Sequence, residues 1–146
     1  MSRVREAIMI DRPVDEVFAT VVDQRNEVRY NPAMASVAME TEPPISVGSR
    51  FRATVVMRGR PTEAVIEYTG VDPPHRLTSC SVTAGTVMEG SIRCDPKDGG
   101  TLFSWDWRVT LPGLLRLAGP LVGLLGAHQE RRIWTGLKHH LEESAR

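Results

Sequence analysis

The chain has 146 residues, with 18 Lys+Arg balanced by 18 Asp+Glu, four His, two Cys, 41% hydrophobic residues and 5% aromatic residues. That length builds one domain around one core. Zero formal net charge lacks the basic excess with which nucleic-acid binders release counterions from phosphates, so nucleic acid is not expected as a partner, and balanced charge with ordinary apolar content excludes disorder.

Residues 1–6 carry no apolar h-region and no small-residue cleavage site, so no secretory signal is expected and the cytoplasm is the expected location. Val4 to Ile10, rich in β-branched and apolar residues, predicts an opening strand closed by Asp11-Arg12-Pro13. Asp11 falls in the N-cap region of a helix, with Pro13 near its first turn and Asp15 and Glu16 complementing its dipole. Val14, Val17, Phe18, Val21 and Val22 recur at helical spacing and give that helix one buried stripe. A second short helix is expected around Asp23 to Tyr30, broken by Asn31-Pro32.

From Ala33 onward the period changes to two. Met34 to Met39 alternates weakly, and 42–48 reads as a loop. Arg50 to Met57 sets Phe51, Ala53, Val55 and Met57 on one face, and Thr62 to Thr69 sets Ala64, Ile66 and Tyr68 on one face across the turn at 58–61. A hairpin symmetrical about that turn places Arg52 opposite Glu67, an opposite-charge pair on an exposed sheet face. Strands follow at Leu77 to Val82 and Thr86 to Cys94, and the polar loop 95–100 is a strong hairpin signal. Phe103, Trp105, Trp107 and Val109 then share a face, with Ser104, Asp106 and Arg108 opposite. This register offsets Cys80 from Cys94 by about six residues, roughly 20 Å at a strand rise of about 3.3 Å, so both are expected to be free thiols.

Leu111 to Glu143 is helical in pattern. Pro112-Gly113 and Gly119-Pro120 punctuate it, which predicts a short lead-in turn and one long helix from near Pro120, with Val122, Leu125, Gln129, Ile133, Leu137 and Leu141 close to one stripe. The apolar run Leu111 to Ala127 is interrupted by Arg116 and Pro120 and falls short of the roughly 20 residues of a membrane span, so no stable span is expected.

Several local features accompany this order: Ile10-Asp-Arg-Pro-Val-Asp-Glu-Val-Phe18, Tyr30-Asn-Pro32, Val47-Gly-Ser-Arg-Phe51, Glu67-Tyr68 through Pro73-Pro-His-Arg-Leu77, and Gly100-Thr-Leu-Phe-Ser-Trp105. Leu111-Pro-Gly-Leu-Leu115 and Leu137-Lys-His-His-Leu141 close the series. Over nearly its whole length the chain resembles the helix-grip fold of the START and birch-pollen-allergen superfamily, particularly the polyketide cyclase/dehydrase and lipid-transport branch of the SRPBCC proteins. The resemblance implies an α+β domain over 1–146, a curved antiparallel sheet of six to seven strands in the order β-α-α-β6-α, wrapped around a long C-terminal helix. It also implies a cavity for a hydrophobic small molecule such as a lipid or polyketide, held for transport or for polyketide cyclase/dehydratase-like chemistry.

One amphipathic helix covers only part of such a sheet face, and the remainder is either packed by side chains or is a pocket. The expected ligand-binding residues are Phe51, Val55, Met57, Ile66, Tyr68, Met88, Phe103, Trp105 and Trp107 from the sheet, with Leu125 and His128 from the helix. Tyr68 and His128 are the polar groups expected to meet the cavity and the candidate acid-base pair, against the alternative of a satisfied or half-exposed pair. Glu89, Arg93, Asp106 and Arg108 alternate onto the opposite, solvent face. Neighbouring His139 and His140 diverge by about 100° around a helix, so no metal site is expected there, and no cofactor motif is present. Gly113, Gly119, Gly123 and Gly126 leave 111–127 open as a pocket mouth, a membrane contact, a homodimer face or the docking segment of a protein-interaction module with a filled cavity. The same glycines also serve simply to let the helix lie close to the sheet.

Overall fold

In the computed structural model, which describes residues 2–145 except for the side-chain surroundings of 118–120, 122 and 123, the period-two segments become seven strands. These are β1 (Ser2–Ile10), β2 (Met34–Met39), β3 (Arg50–Met57), β4 (Arg60–Asp72), β5 (Arg76–Thr83), β6 (Thr86–Lys97) and β7 (Gly100–Thr110). They form one curved antiparallel sheet in the order β1-β7-β6-β5-β4-β3-β2. Helix α1 (Val14–Val22) and a 3-10 helix (Gln24–Arg29) cross from one sheet edge to the other, and a second 3-10 helix (Gly113–Ala118) leads into α2 (Gly119–Ser144). This is the expected α+β helix-grip architecture. No helix among the described residues is long and apolar enough to cross a membrane.

The strands extend beyond the alternating runs because three of the hairpins close with two-residue turns. Arg58-Gly59, Ala84-Gly85 and Asp98-Gly99 all have positive φ, the mirror-image turn whose twist matches that of the flanking strands. The tight turn moves the β3-β4 register two residues from the expected one. Glu67 faces Arg50, at 2.9 Å, while Arg52 faces Val65 and pairs instead with Glu40 and Glu63. A slip of two residues leaves every side chain on its original face, so hydrophobic alternation is blind to it. Cys80 faces Glu89, five positions from Cys94, and both thiols are free.

Pro13, not Asp11, occupies the N-cap of α1 without a side-chain cap, and the Asp11 backbone N–H donates to Glu142 Oε2 of α2 at 2.8 Å. The core gathers where α2 crosses the sheet. Phe51, Phe103, Ile10 and Leu137 are fully buried. Trp134 of α2 lies 4.9 Å from the Phe103 ring centre, 6.1 Å from Trp105 and 6.2 Å from Tyr30. Ion pairing of Arg131 with Glu6 at 2.6 Å and a Lys138 bond to the Met9 carbonyl at 2.8 Å hold α2 along β1. On the opposite face Asp106 pairs with Arg3 at 2.7 Å, and Glu89 lies across from Arg108.

Gly136 permits the close approach of α2 to the corner after the first 3-10 helix, since a Cβ there would stand 2.3 Å from the Tyr30 carbonyl oxygen. Gly136→Ala is therefore expected to cost about 2 kcal/mol or more in urea unfolding despite the higher helix propensity of alanine. An unchanged unfolding midpoint would contradict this contact.

Candidate functional site

A cavity of about 360 Å³ lies between the sheet and the stretch of α2 from Leu125 to Trp134. Small side chains in the middle of the sheet create the space: the cavity-facing positions of β5 are Ser79, Ser81 and Thr83, which alternation alone places inward. Val55 and Met57 of β3, Ala64 and Ile66 of β4, Met88 of β6 and Trp107 and Val109 of β7 supply the apolar wall. Leu125, Gly126, Gln129, Glu130, Ile133 and Trp134 of α2 form the facing wall, and Gln24, Glu27 and Asn31 close the corner. Met57 and Leu125 both line the cavity and are exposed, which puts its mouth between the β3-β4 hairpin and the start of α2.

Two carboxyls line this mostly apolar space, and no Lys, Arg or His among the described residues does. Glu130 Oε2 accepts the Trp134 Nε1–H at 2.7 Å, one helical turn away. Glu27 Oε2 accepts the Asn31 Nδ2–H at 2.8 Å, and Asn31 is itself fixed by the Ala33 N–H on its Oδ1 at 3.0 Å. The Trp107 indole N–H is buried without a hydrogen-bond partner among the described residues. It nevertheless lies close enough to the Glu130 carboxyl to favour its charged form. Glu27 and Glu130 are half-buried and line the cavity. Burial pushes Glu130 up to about 7, the nearby Glu27 charge adds to the rise, and the Trp134 and Trp107 N–H groups oppose it. Burial also raises Glu27, against the Asn31 bond. A carboxyl that exchanges its proton near neutrality beside a second one is equipped for acid-base work, and it is also a polar anchor.

Of the residues expected from the sequence, Val55, Met57, Ile66, Met88, Trp107 and Leu125 surround the cavity. Phe51, Tyr68, Phe103 and Trp105 share the same sheet face but do not line it: each is at most 1% exposed, packed in the core. The Tyr68 hydroxyl donates to the Val22 carbonyl at the end of α1, and burial drives its pKa far up, so it is a fastening and not a proton donor to the cavity. His128 is exposed on the outside of α2, between the inward positions at 125–126 and 129–130, and does not reach the cavity. Glu27 and Glu130 are not among the residues expected from the sequence, because charged residues ordinarily mark a helix exterior. Their signal is an i,i+4 hydrogen-bonding partner, Asn31 and Trp134, together with the position of Glu130 next to Gln129 and three before Ile133 on the inward stripe. Gly119, Val122 and Gly123 lie outside the described side-chain surroundings. Beside the mouth, Leu114, Leu117 and Leu124 are 85%, 83% and 72% exposed. No group of three or more His, Cys, Asp or Glu among the described residues is placed to hold a metal.

The model of a family described as polyketide cyclase/dehydrase and lipid transport matches residues 1–142. No curated protein matches the chain in sequence. Among solved structures, a START superfamily protein from Mycobacterium smegmatis is 16% identical, with 98% of this chain and 99% of that one covered and a TM-score of 0.82. Zhui aromatase/cyclase from Streptomyces sp. R1128 is 15% identical over 99% and 95% of the two chains, with a TM-score of 0.81. A Thermus thermophilus protein is 20% identical over 99% of both, with a TM-score of 0.82. Likeness at these identities is one of fold.

A carboxyl whose folded pKa of about 7 exceeds its unfolded value of 4.5 binds more protons in the native state, so its contribution to stability is full below about pH 4.5 and is lost as pH rises through about 7. The lowered carboxyls Asp23, Asp106 and Glu142 act oppositely but complete their gain at lower pH. Urea unfolding is therefore expected to show the wild type losing on the order of a few kcal/mol between about pH 5 and 8. Glu130→Gln should lose clearly less, and equal losses in the two proteins would assign the effect elsewhere.

Proposed function

This chain belongs to the polyketide cyclase/dehydrase and lipid-transport family, and on that premise we propose that it binds a hydrophobic small molecule, of lipid or polyketide kind, in the cavity between the sheet and α2, carrying it or acting on it. The supporting observation is the cavity itself: about 360 Å³ of space with a largely apolar wall, a mouth at Met57 and Leu125, hydroxyls from β5, and two carboxyls, Glu27 and Glu130. Sites for small molecules are usually built this way, apolar over most of their area with a few oriented polar groups. An interaction module with a solidly packed sheet face accords poorly with a space of that size. The exposed leucines of 114–124 adjoin the mouth and suit the passage of an apolar guest between the cavity and an apolar surface.

If the protein acts on its guest, the wall holds a reactive chain folded, and proximity supplies much of the barrier reduction. Glu130, with Glu27 beside it, then moves the proton near neutral pH. Tyr68 and His128 stand outside this scheme, the first engaged by Val22 and the second turned to solvent.

Native mass spectrometry with organic extraction of the purified protein is expected to reveal a co-purifying apolar molecule. Met88→Trp, which fills the cavity from β6, should remove it while the circular dichroism spectrum stays native. Reproducibly ligand-free wild-type protein that also takes up no added apolar molecule would refute the binding function. Once a guest is identified, assay of its conversion by the wild type separates a carrier from an enzyme, and under the enzyme reading Glu130→Gln should abolish conversion even at saturating guest.

A further inference from the structure

The cavity is asymmetric in charge. Its lining includes Glu27 and Glu130 and, among the described residues, no basic side chain. The groups that face Glu130 are Trp134 on its own helix, Trp107 from β7, and Glu27 and Tyr30 from the segment after α1. None carries a positive charge, and Asp23, which acts on Tyr30 and Tyr68, is itself paired with Arg25 at 2.9 Å. The nearest arginine in sequence, Arg131, is engaged by Glu6 on β1.

The two indole N–H groups are arranged around Glu130 as a shell for a carboxylate. Trp134 already donates at 2.7 Å, whereas Trp107, 6% exposed, has its N–H buried and unpartnered beside the same carboxyl. An unpaired buried donor is costly, and it is satisfied when its neighbour becomes a full acceptor. The site thus solvates a negative charge for which no basic side chain among the described residues lines the cavity. Carboxyls in a largely apolar space, with no basic side chain of the described residues lining it, are the chemistry that recognises an organic cation.

Resting on the reading of the cavity as a binding site, we propose that Glu27 and Glu130, with Trp107 and Trp134, form a cation anchor that selects an apolar ligand bearing a protonated amine and rejects one bearing a carboxylate. On binding, the ammonium head takes its place beside the carboxyls, Glu130 gives up its proton to solvent, and the apolar body extends along Ile66 and Met88 towards the mouth.

The probes are decylamine, decanol and decanoate, which share one apolar body and differ in head charge, titrated into the wild-type protein by calorimetry at about pH 7. Decylamine should bind at least about tenfold more tightly than decanol, with decanoate weakest. Repeating the decylamine titration in buffers of different ionisation enthalpy should show net proton release, which Glu130→Gln abolishes. The double variant Glu27→Gln, Glu130→Gln should bring the three affinities within a few-fold of one another. Equal binding of all three by the wild type, tighter binding of decanol or decanoate, an absence of proton release, or an unchanged ranking in the double variant overturns the anchor while leaving an apolar binding cavity in place. Failure of all three to bind removes the cavity reading and the anchor together.

Discussion

A single helix has to cover the concave face of a seven-stranded sheet, and its width falls short of that area. The chain resolves this shortage by dividing the face. At one end large aromatic and aliphatic side chains meet: Phe103, Trp105 and Phe51 from the strands, with Trp134, Leu137 and Leu141 from α2. At the other end the sheet offers Ser79, Ser81, Thr83 and Ala64, which are too small to reach the helix. Burial of the first group stabilises the fold strongly enough to leave the second unfilled.

That division also decides how polar groups behave. Tyr68 lies in the packed half, and its hydroxyl is satisfied by the Val22 carbonyl, so it joins β4 to α1 and has no chemistry left to offer. Glu130 and Trp107 lie at the boundary. There a carboxyl loses bulk water but gains only indole donors, and one of those, Trp107, remains unpaired. Burying two carboxyls without a base disfavours both charges, which is why Glu27 and Glu130 are both displaced towards their neutral forms.

The anchoring of α2 is itself uneven. From Arg131 onward it is held to β1 and the residue that follows it, by Arg131 with Glu6, by Lys138 with the Met9 carbonyl, and by Glu142 with the Asp11 N–H. The half that borders the cavity offers exposed Leu124 and Leu125. Apolar surface is thus exposed at the start of α2, continuous in sequence with the exposed leucines of the preceding 3-10 helix.

The order of elements, the faces of the strands and the aromatic side of the sheet follow from short-range periodicity and from glycine-containing turns, and so can be read along the chain. Arg50 to Met57 is a strand at the expected bounds, and Val55, Ile66, Met88 and Trp107 point inward as alternation requires. The pairing of Arg50 with Glu67 was not legible, because a two-residue shift preserves every face and depends on which turn residues accept positive φ. Nor was the split of one apolar face into core and cavity: Trp105 and Trp107 are equivalent in pattern, yet only Trp107 lines the space. Glu27 and Glu130 became a pair only when the chain brought residues about a hundred positions apart to one corner. Desolvation, the force that gives those carboxyls their character, is a property of the assembled walls and of no local stretch of sequence.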